Sequence, residues 1–487
     1  MANERGRARD QIARSACGPG RARPPPGGRV SAPTRADAAL RRTQNAQEQV
    51  GLMDKAKLFF FLGAGALVLG GTFTAGLYSA VRENKAYDLV WGTLDEAKTL
   101  YEELPNLRGT EPIHFLRPAR YEGSGVTGNT SGKDDLILLS GFIDGNNRAR
   151  LIRRDGTVVN DWELSAQALF PDTSFFRDNP QTDWNAITHG TIITPEGDII
   201  FSFESGGMAR LDRCGKPVWT TPGIVNHHSP NWLEDGGVVI SGGRYVDKPN
   251  SEIPWPFSGP YWEDLVFKYD ADGNRVFEKA LTELMIENGM EAVLTSTGFF
   301  KTRVGGEFHL NEVEELPASL AADFPMFEAG DLMLSLRNRN MIVVTDAAVT
   351  KIKWWKIGPF IRQHDPDWEK GGKITVFDNH SDESLDGSRA GGSRIWQIDP
   401  ATGEAVTLYG GRDDQFMYSP ERSTHQTQPD GNLMITEAQS GRAFEVTPAG
   451  KIVWEYVNRY DAGRVTWLHD AEVFEPSFFT VTDWTCD

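Results

Sequence analysis

Short apolar segments separated by turn signals recur along the chain from about residue 135 onward. One half of the repeated unit is an apolar strand that follows a turn, as in DIIFS, GVVISGG, DLMLSLR, KITVFDN and NLMITEA. The other half is a strand, a turn and a second strand, as in MARLDRCGKPVWTT, LVFKYDADGNRVFEKA, RIWQIDPATGEAVTLY and RAFEVTPAGKIVWEY. Four short antiparallel strands that recur every 40 to 60 residues or so are typical of the blades of a β-propeller.

The first and last repeats are incomplete in complementary ways. Residues 136–163 supply three strands without a leading one, and residues 467–474 (WLHDAEVF) supply only a leading strand. Together they complete one blade, which closes the ring and removes its exposed sheet edges. The pattern therefore predicts an all-β, six-bladed β-propeller over residues 135–487, although the long 245–305 stretch has room for a further blade.

The N-terminal part of the chain has a different pattern. Residues 1–52 are rich in Arg, Pro, Gly and Ala and have almost no large apolar side chains, so we expect them to be disordered. Residues 53–81 contain an uncharged run from Leu58 to Ala80 that is long enough to cross a bilayer. This run predicts a single-pass transmembrane signal anchor, and its length favours an uncleaved anchor over a cleaved signal.

Positive charge before the apolar run indicates its orientation. Lys55 and Lys57 precede it, so the positive-inside rule places the N-terminus in the cytoplasm and the body on the periplasmic or extracellular side. Arg82 and Lys85 on the far side weaken this signal. Residues 82–134 are expected to hold a short juxtamembrane helix and a linker, so the membrane is an expected partner.

Charge and cysteine content add two constraints. The net charge is −18, and residues 1–50 carry ten Arg against four acidic residues (+6), which leaves −24 for the rest. An acidic body of this kind argues against nucleic acid as a partner. The three cysteines, Cys17, Cys214 and Cys486, show no metal-binding spacing, so we expect neither a disulfide framework nor a structural zinc.

The histidines follow the repeat. Only nine occur, and six of them stand just before a leading strand: His189, His228, His309, His364, His425 and His469. Because the leading strand lines the central channel of a propeller, these imidazoles are expected to converge at one mouth of the channel. Any one of them alone is more often structural, but the set favours a shared functional site. Three fall outside the register and are expected to be structural or incidental: His114, His227 and His380.

Two chemistries compete for such a cluster, a metal site and covalent or acid/base chemistry. Asp365 and Asp470 directly follow two of the histidines, and they should point away from the channel because adjacent strand residues face opposite sides. Arg337, in LSLRNRN, and Asn311, two residues after His309, are expected beside the ring. A guanidinium among neutral imidazoles repels a metal cation and attracts a tetrahedral oxyanion. We therefore expect an anion-transfer site with no metal and no cofactor.

Other residues near the ring in sequence have two interpretations each. Arg422, in SPERSTHQ, is either a second oxyanion ligand or part of a surface salt bridge. Four aromatic residues either line an acceptor pocket or simply pack between blades: Phe360, Trp368, Tyr418 and Trp467.

Several segments in order resemble the arylsulfotransferase (aryl sulfate sulfotransferase) family over about residues 185–475. They are FHLNEVE, DLMLSLRNRNMIVV, WWKIG, QHDPDW, KITVFDN and SGRAFEVTPAGKIVWEYVN. The ordered H-x-N, S-x-R and QHDP motifs are the distinctive part. The resemblance implies a six-bladed propeller that moves a sulfuryl group from an aryl sulfate donor to a phenolic acceptor without a nucleotide sulfate donor. It also implies a channel histidine as the nucleophile, which becomes a sulfohistidine.

Carried over by motif, the resemblance makes His364 of QHDP the nucleophile. The residues expected to share catalysis with it are His309, His228 and Arg337. The residues expected to contact substrate are Asn311, His425, His189 and His469. Two half-reactions through one covalent intermediate imply ping-pong kinetics. A homodimer is one possible assembly.

Two other function classes are open. The first is a propeller without catalysis that serves as a binding or assembly module on the outer face of the membrane, since the fold alone does not decide function. The second is a quinone-dependent dehydrogenase, a class that typically has eight blades and a calcium site with carboxylates in the channel. The sequence indicates neither of those features.

Overall fold

The computed structural model describes residues 35–82, 111–177, 180–247, 261–295, 308–382, 384 and 386–486, with isolated positions between 93 and 109. The chain divides into two compact units, residues 1–98 and 99–487. The predicted disorder of residues 1–34 lies outside the described residues. The predicted juxtamembrane helix does too, apart from single positions.

One long helix, α1 (Arg35–Arg82), forms the described part of the first unit apart from position 93. It contains one stretch, Lys57–Gly76, that is long and apolar enough to cross a membrane, judged by length and composition. Because α1 begins at Arg35, residues 35–52 are helical and not disordered as expected. Their sequence is rich in Ala, Gln and Arg, which have high helix propensity, and this continues the helix in the N-terminal direction.

The second unit consists mainly of short strands, numbered in chain order. The first nine, with the short helix α2 (Ala166–Leu169), are β1 (Leu116–Pro118), β2 (Gly125–Asn129), β3 (Leu136–Ile143), β4 (Asn146–Arg153), β5 (Val158–Glu163), β6 (Thr188–Ile193), β7 (Ile199–Phe203), β8 (Met208–Leu211) and β9 (Pro217–Thr220). The next eight, with helices α3 (Leu281–Glu287) and α4 (Glu291–Thr295), are β10 (Asn226–Trp232), β11 (Val238–Val246), β12 (Tyr261–Tyr269), β13 (Arg275–Ala280), β14 (Leu310–Glu315), β15 (Leu332–Leu336), β16 (Met341–Thr345) and β17 (Ile352–Ile357). The last ten are β18 (His364–Glu369), β19 (Lys373–Asp378), β20 (Arg394–Ile398), β21 (Ala405–Gly410), β22 (His425–Thr427), β23 (Leu433–Glu437), β24 (Arg442–Val446), β25 (Ile452–Val457), β26 (Arg464–Thr466) and β27 (Leu468–Phe474).

These strands form six blades, so the predicted six-bladed propeller is confirmed. In order from the inner strand outward, blades 1 to 5 are β6–β9, β10–β13, β14–β17, β18–β21 and β22–β25. Blade 6 has the order β27-β3-β4-β5, which joins the last of the described strands to three early ones. Within the described residues, the 245–305 stretch contributes to blade 2 and to two short helices but adds no blade.

The segment before the propeller is more than the linker predicted for residues 82–134. Strand β2 pairs antiparallel with β25 as a fifth strand of blade 5, and β1 pairs with β26. The outer strand of a blade exposes unpaired N–H and C=O groups, and β2 covers them on blade 5.

The hydrophobic core lies between neighbouring blades. Six apolar clusters each join one adjacent pair of blades, and together they go once around the ring. The second strands, such as β7, β15 and β23, are buried on both faces, which explains their nearly continuous apolar sequences. Trp454 illustrates the packing: its ring is fully buried between blades 5 and 6, and its Nε1 donates to Arg154 O at 2.9 Å.

A disulfide joins Cys214, in the turn between β8 and β9, to Cys486. The expectation of no disulfide framework is wrong on this point. The two cysteines are 272 residues apart in sequence, so only the closure of the ring reveals that they are neighbours. Trp484 of the same C-terminal tail packs edge-on against Trp162 of blade 6, with ring centroids 6.3 Å apart. The tail therefore bridges blades 6 and 1.

Candidate active site

The inner strands are irregular where they begin. The pairing register shifts near the start of β14, β18 and β27, as it does in a β-bulge. His228 (φ 66°), His309 (φ 51°) and Asp365 (φ 53°) adopt the left-handed region that side chains other than glycine rarely occupy. Bulges and left-handed residues re-aim side chains and concentrate at functional sites. Here they turn the strand starts so that several imidazoles face one space.

Five of the six expected histidines meet at this end of the channel. The ring centroid of His228 lies 4.3 Å from that of His189, 5.1 Å from that of His309 and 5.6 Å from that of His364. His469 follows at 6.2 Å from His189. The Nε2 atoms of His228 and His309 are 3.0 Å apart, so one ring donates a proton to the other. We call these five residues, together with His227, the histidine cluster.

His227 belongs to the cluster, although we expected it to be structural or incidental. Its ring centroid lies 4.1 Å from that of His228 and 5.0 Å from that of His309. The shift in register within β10 explains why two consecutive residues both reach the site. The doubled histidine in NHHSP was the available signal. His380 lies apart, with its Nδ1 3.1 Å from the Asp378 carboxylate.

Two arginines border the histidine cluster. Nη1 of Arg337 lies 3.3 Å from His309 Nε2, and Nη1 of Arg422 lies 2.9 Å from His189 Nε2. Arg422 is 7 % exposed, donates to the Glu204 carboxylate and stacks 4.8 Å above the Trp467 ring, so a surface salt bridge is the wrong interpretation of this residue. Arg337 is also paired with Glu421 at 3.4 Å, and the two guanidinium groups bring positively charged hydrogen-bond donors suited to an anion beside the cluster.

A second set of polar residues occupies one position of the repeat. Glu204, Arg337 and Asn379 each directly follow the second strand of their blade, in FSFE, LSLR and VFDN. This position lies beside the start of the inner strand. Of the three, only Arg337 was singled out from the sequence. An alignment of the repeats at the end of the second strand would have indicated the other two.

Asn379 fixes the orientation of His364. Its Nδ2 donates to the carbonyls of Ser419 (2.9 Å) and Arg422 (2.7 Å), which leaves its Oδ1 2.6 Å from Nδ1 of His364. An amide oxygen can only accept, so Nδ1 carries the ring proton and Nε2 carries the free lone pair. His364 is therefore held in the tautomer that presents a nucleophilic nitrogen.

Burial keeps the imidazoles neutral. It lowers the pKa of His364 to about 3, with Arg337 adding to the effect, and lowers the pKa of His227 to about 4. Four others have a pKa well below the usual range, also because of burial first: His189, His228, His309 and His469. Burial acts to raise the pKa of Glu204, but the Arg422 guanidinium holds it below its usual value. The site thus combines neutral bases with permanent positive charge.

Asn311 faces the backbone beside the nucleophile candidate. Its Nδ2 donates to Gln363 O at 2.7 Å, while its Oδ1 is buried without a hydrogen-bond partner. Gln363 is held in turn through its Nε2, which donates to Met341 O at 3.0 Å. Asn311 therefore supports the chain that leads into His364.

The structure does not bring His425 to the histidine cluster. In blade 5 the chain turns at Arg422 (φ 62°) and Ser423 (φ 81°), and the guanidinium of Arg422 takes the position that histidines hold in other blades. His425 faces further along the channel, where its Nδ1 lies 2.8 Å from Asp365 Oδ2. Repeat spacing placed His425 in register, but the local turn reverses its side chain.

Carboxylates line the channel beyond the histidine cluster, in a cavity of about 420 Å³ that we call the acidic cavity. They are Glu312, Glu314, Glu315, Asp365, Asp367, Glu369, Asp470 and Glu472. The expectation that Asp365 and Asp470 point away from the channel is therefore wrong. An inner strand borders the channel with its edge, and side chains on both of its faces reach the lumen. Burial raises the pKa of Asp470 to about 6.

Three members of the histidine cluster could also ligate a metal by distance alone. Nitrogens of His227, His228 and His309 all lie within 4.8 Å of one another. The guanidinium of Arg337, 3.3 Å from His309 Nε2, opposes a cation at that point because it would add like charge. The electrostatics favour an anion at this end of the channel.

Of the four aromatic candidates, Trp467 lies at the cluster. Its ring is 6.4 Å from that of His469 and is covered by Arg117 and Arg422, at 4.5 Å and 4.8 Å. Phe360 packs in the core between blades 3 and 4, and Trp368 borders the acidic cavity.

Comparison with known proteins agrees with the motifs. The arylsulfotransferase (ASST) family matches residues 190–459, more than half of the chain. The chain belongs to this family.

No curated protein matches. Among solved structures, a protein of unknown function from Bacteroides caccae is 12 % identical and covers 66 % of this chain and 94 % of its own, with a TM-score of 0.42. A chain of a nidogen/laminin complex is 12 % identical, with coverage of 70 % and 98 % and a TM-score of 0.39. A streptogramin B lyase is 14 % identical, with coverage of 72 % and 90 % and a TM-score of 0.37. At these values the structures carry no argument about function.

Proposed function

We propose that this protein is a nucleotide-independent aryl sulfotransferase that works through a sulfohistidine at His364. One observation carries the proposal. His364 is neutral, its Nδ1–H is committed to Asn379, and its Nε2 lone pair faces a space bordered by imidazoles and two guanidinium groups. Membership of the arylsulfotransferase family supports the same chemistry.

In the first half-reaction, Nε2 of His364 attacks the sulfur of an aryl sulfate. The N–S bond forms as the S–O(aryl) bond breaks, and the phenolate leaves with the bonding pair. Positive charge develops on the imidazole ring, where the Nδ1–H bond to Asn379 becomes charge-assisted. Sulfuryl transfer resembles phosphoryl transfer in having a loose transition state with charge on the peripheral oxygens, so the arginines contribute mainly electrostatic stabilisation.

Proton transfer is assigned to the pair formed by His228 and His309. Because both rings are neutral, the pair stabilises the leaving phenolate by a hydrogen bond from an N–H, and the phenolate takes its proton from solvent. In the second half-reaction, the hydroxyl of a phenolic acceptor gives its proton to this pair and attacks sulfur. The N–S bond then breaks and restores neutral His364, and the donor and acceptor take turns in one site.

The nucleophile is tested by incubating the purified protein with a chromogenic aryl sulfate and a phenol. We expect phenol release that depends on the acceptor, and a sulfated His364 detected by mass spectrometry when the acceptor is left out. His364→Ala should abolish both while Tm is kept, and His114→Ala, at a half-exposed histidine outside the cluster, should retain both. Aryl sulfate binding without turnover in the wild type would favour the non-catalytic alternative instead.

The same proposal includes a membrane anchor, with the body on the periplasmic or extracellular side. The apolar stretch Lys57–Gly76 supports the anchor, and the Cys214–Cys486 disulfide supports an oxidising compartment. In spheroplasts, an added protease should degrade the propeller, and carbonate washing should leave the chain in the membrane fraction. Protection of the propeller until the membrane is broken would place it in the cytoplasm.

A further inference from the structure

The acidic cavity gathers eight carboxyl groups with no basic side chain among the described residues that line it apart from His425. All eight come from the inner strands β14, β18 and β27, and no Lys or Arg is among the described residues that line the cavity. Carboxyl groups gathered in this way repel one another when they ionise, and a divalent cation bound among them removes that repulsion.

His425 has a buried nitrogen that faces this cavity without a partner. The residue is 5 % exposed, lines the acidic cavity, and its Nε2 has no hydrogen-bond partner. A buried imidazole nitrogen of this kind normally has a partner, so its absence points to a group that the protein itself does not supply.

The other ring nitrogen of His425 is already oriented. Nδ1 lies 2.8 Å from Asp365 Oδ2, and the backbone N–H of His425 donates to the same oxygen. This carboxylate therefore holds the ring with Nδ1–H as donor and leaves the Nε2 lone pair free. Metal-ligating histidines commonly donate their second N–H to a carboxylate in this way, which fixes the tautomer for the metal.

The carboxylate of Asp367 lies on the Nε2 side of the His425 ring, where a metal bound to Nε2 would need a second ligand. Oδ2 of Asp367 is 3.5 Å from His425 Nε2, and ligand atoms of Asp365, Asp367 and His425 all lie within 4.8 Å of one another. Two atoms that each lie about 2.0–2.2 Å from one ion are typically about 3 Å apart or slightly more, so this spacing suits a shared metal.

We infer that Asp367 and His425, with Asp365 orienting the imidazole from Nδ1, form a divalent-cation site that ties the inner strand of blade 4 to that of blade 5. The mixed imidazole and carboxylate ligands favour a metal of the Mn²⁺ or Zn²⁺ class over Ca²⁺, which prefers oxygen alone. The other carboxylates of the acidic cavity, with Glu312 and Glu369 among them, are available to complete the coordination.

The site has a consequence for the neighbouring strand. Asp365 directly follows His364 and lies in the left-handed conformation at the bulge. A metal on His425 fixes the imidazole and backbone N–H that Asp365 binds, and so restrains the backbone that presents His364. We therefore assign the cation a structural role at the ring interior, with no part in bond breaking.

The experiment uses chelator-treated full-length protein in detergent. Mn²⁺ binding is followed by the loss of the free-ion EPR signal, and Tm is measured with and without Mn²⁺. We expect one Mn²⁺ per chain, a higher Tm with metal, and an affinity that falls about 100-fold in Asp367→Asn and in His425→Gln. Glu404→Gln, which removes an exposed carboxylate from the β20–β21 turn of the same blade, serves as the charge-matched control and should bind normally.

Three results would overturn the assignment. They are the absence of stoichiometric Mn²⁺ binding in the wild type, unchanged binding in the double variant Asp367→Asn/His425→Gln, and equal competition by Ca²⁺, which would remove His425 as a ligand. Because binding and Tm are measured without any sulfate donor, these results are independent of the proposed sulfotransfer.

Discussion

Removing the Asn379 amide tests how His364 is activated. In the proposed reaction, the 2.6 Å bond from His364 Nδ1–H to Asn379 Oδ1 changes from a neutral to a charge-assisted hydrogen bond as the imidazole gains positive charge. A hydrogen bond to a charged group contributes about 1.5–3 kcal/mol. Since each 1.36 kcal/mol is about tenfold in rate, Asn379→Ala should lower kcat/KM about 10- to 150-fold.

The substitution also has a structural cost that must be separated from the chemistry. Asn379 Nδ2 donates to Ser419 O and Arg422 O; Ser419 O keeps a weak bond from Ser393 Oγ at 3.4 Å, while Arg422 O loses its donor, and a buried carbonyl left without a partner costs about 1–3 kcal/mol. Ser393→Ala is a matched control, because Ser393 Oγ donates to Asn379 O at 2.8 Å in the same network and does not touch the ring. It should lower Tm with little change in turnover.

The assay is rapid mixing with a chromogenic aryl sulfate, which reports the sulfation step as a burst of phenolate. Asn379→Ala should slow the burst by the stated factor, and Ser393→Ala should leave it within about twofold of the wild type. Equal burst rates in Asn379→Ala and the wild type would show that the hydrogen bond from His364 Nδ1–H to Asn379 neither sets the tautomer of His364 nor stabilises its positive charge in the reaction.

Three further predictions concern charge, pH and the covalent link. Arg337→Ala should lower kcat strongly and Arg337→Lys should restore only part of it, because a lysine lacks the forked donor geometry; equal rates in the two variants would argue against this. Burial lowers the pKa of His227 to about 4 and that of His364 to about 3, whereas an unfolded histidine titrates near about 6.5. The unfolded state therefore binds more protons between about pH 6.5 and 4, and Tm should fall as the pH is lowered through that window, less steeply in His227→Asn. Cys214→Ser should cost about 2–4 kcal/mol of stability and expose the C-terminal tail to protease, and unchanged proteolysis would show that Trp484 packing alone holds the tail.

Much of the fold could be predicted because propeller repeats carry their register in the sequence. The closure of blade 6 by residues 467–474 followed from counting strands, and the convergence of five histidines followed from their shared place before the inner strands. The predictions for His425 and His227 were wrong because the direction of these side chains depends on backbone turns, which the spacing of the repeats does not encode. Left-handed residues at Arg422 and Ser423 reverse His425, and the register shift in β10 brings in His227.

Other differences arise from contacts between distant parts of the chain. Cys214 and Cys486 become neighbours only after the ring closes, and no local pattern marks them as a pair. The alternation rule placed Asp365 on the far side of its strand, but it does not hold for a strand that borders a channel with its edge. The alternating carboxylates of HDPDWE were visible in the sequence, but the sequence did not show that they line the same cavity.

The closure of blade 6 sets the order in which the molecule can mature. His469 is on β27, the last of the described strands to leave the ribosome, while its partners β3–β5 are translated more than 300 residues earlier. Until β27 is translated, the nascent chain has five inner strands, blade 6 has an open edge at β3, and the histidine cluster lacks the side that β27 supplies. A truncated chain that ends before β27 would therefore lack His469 and keep that edge unpaired, so a complete pocket marks a chain that has been translated through β27.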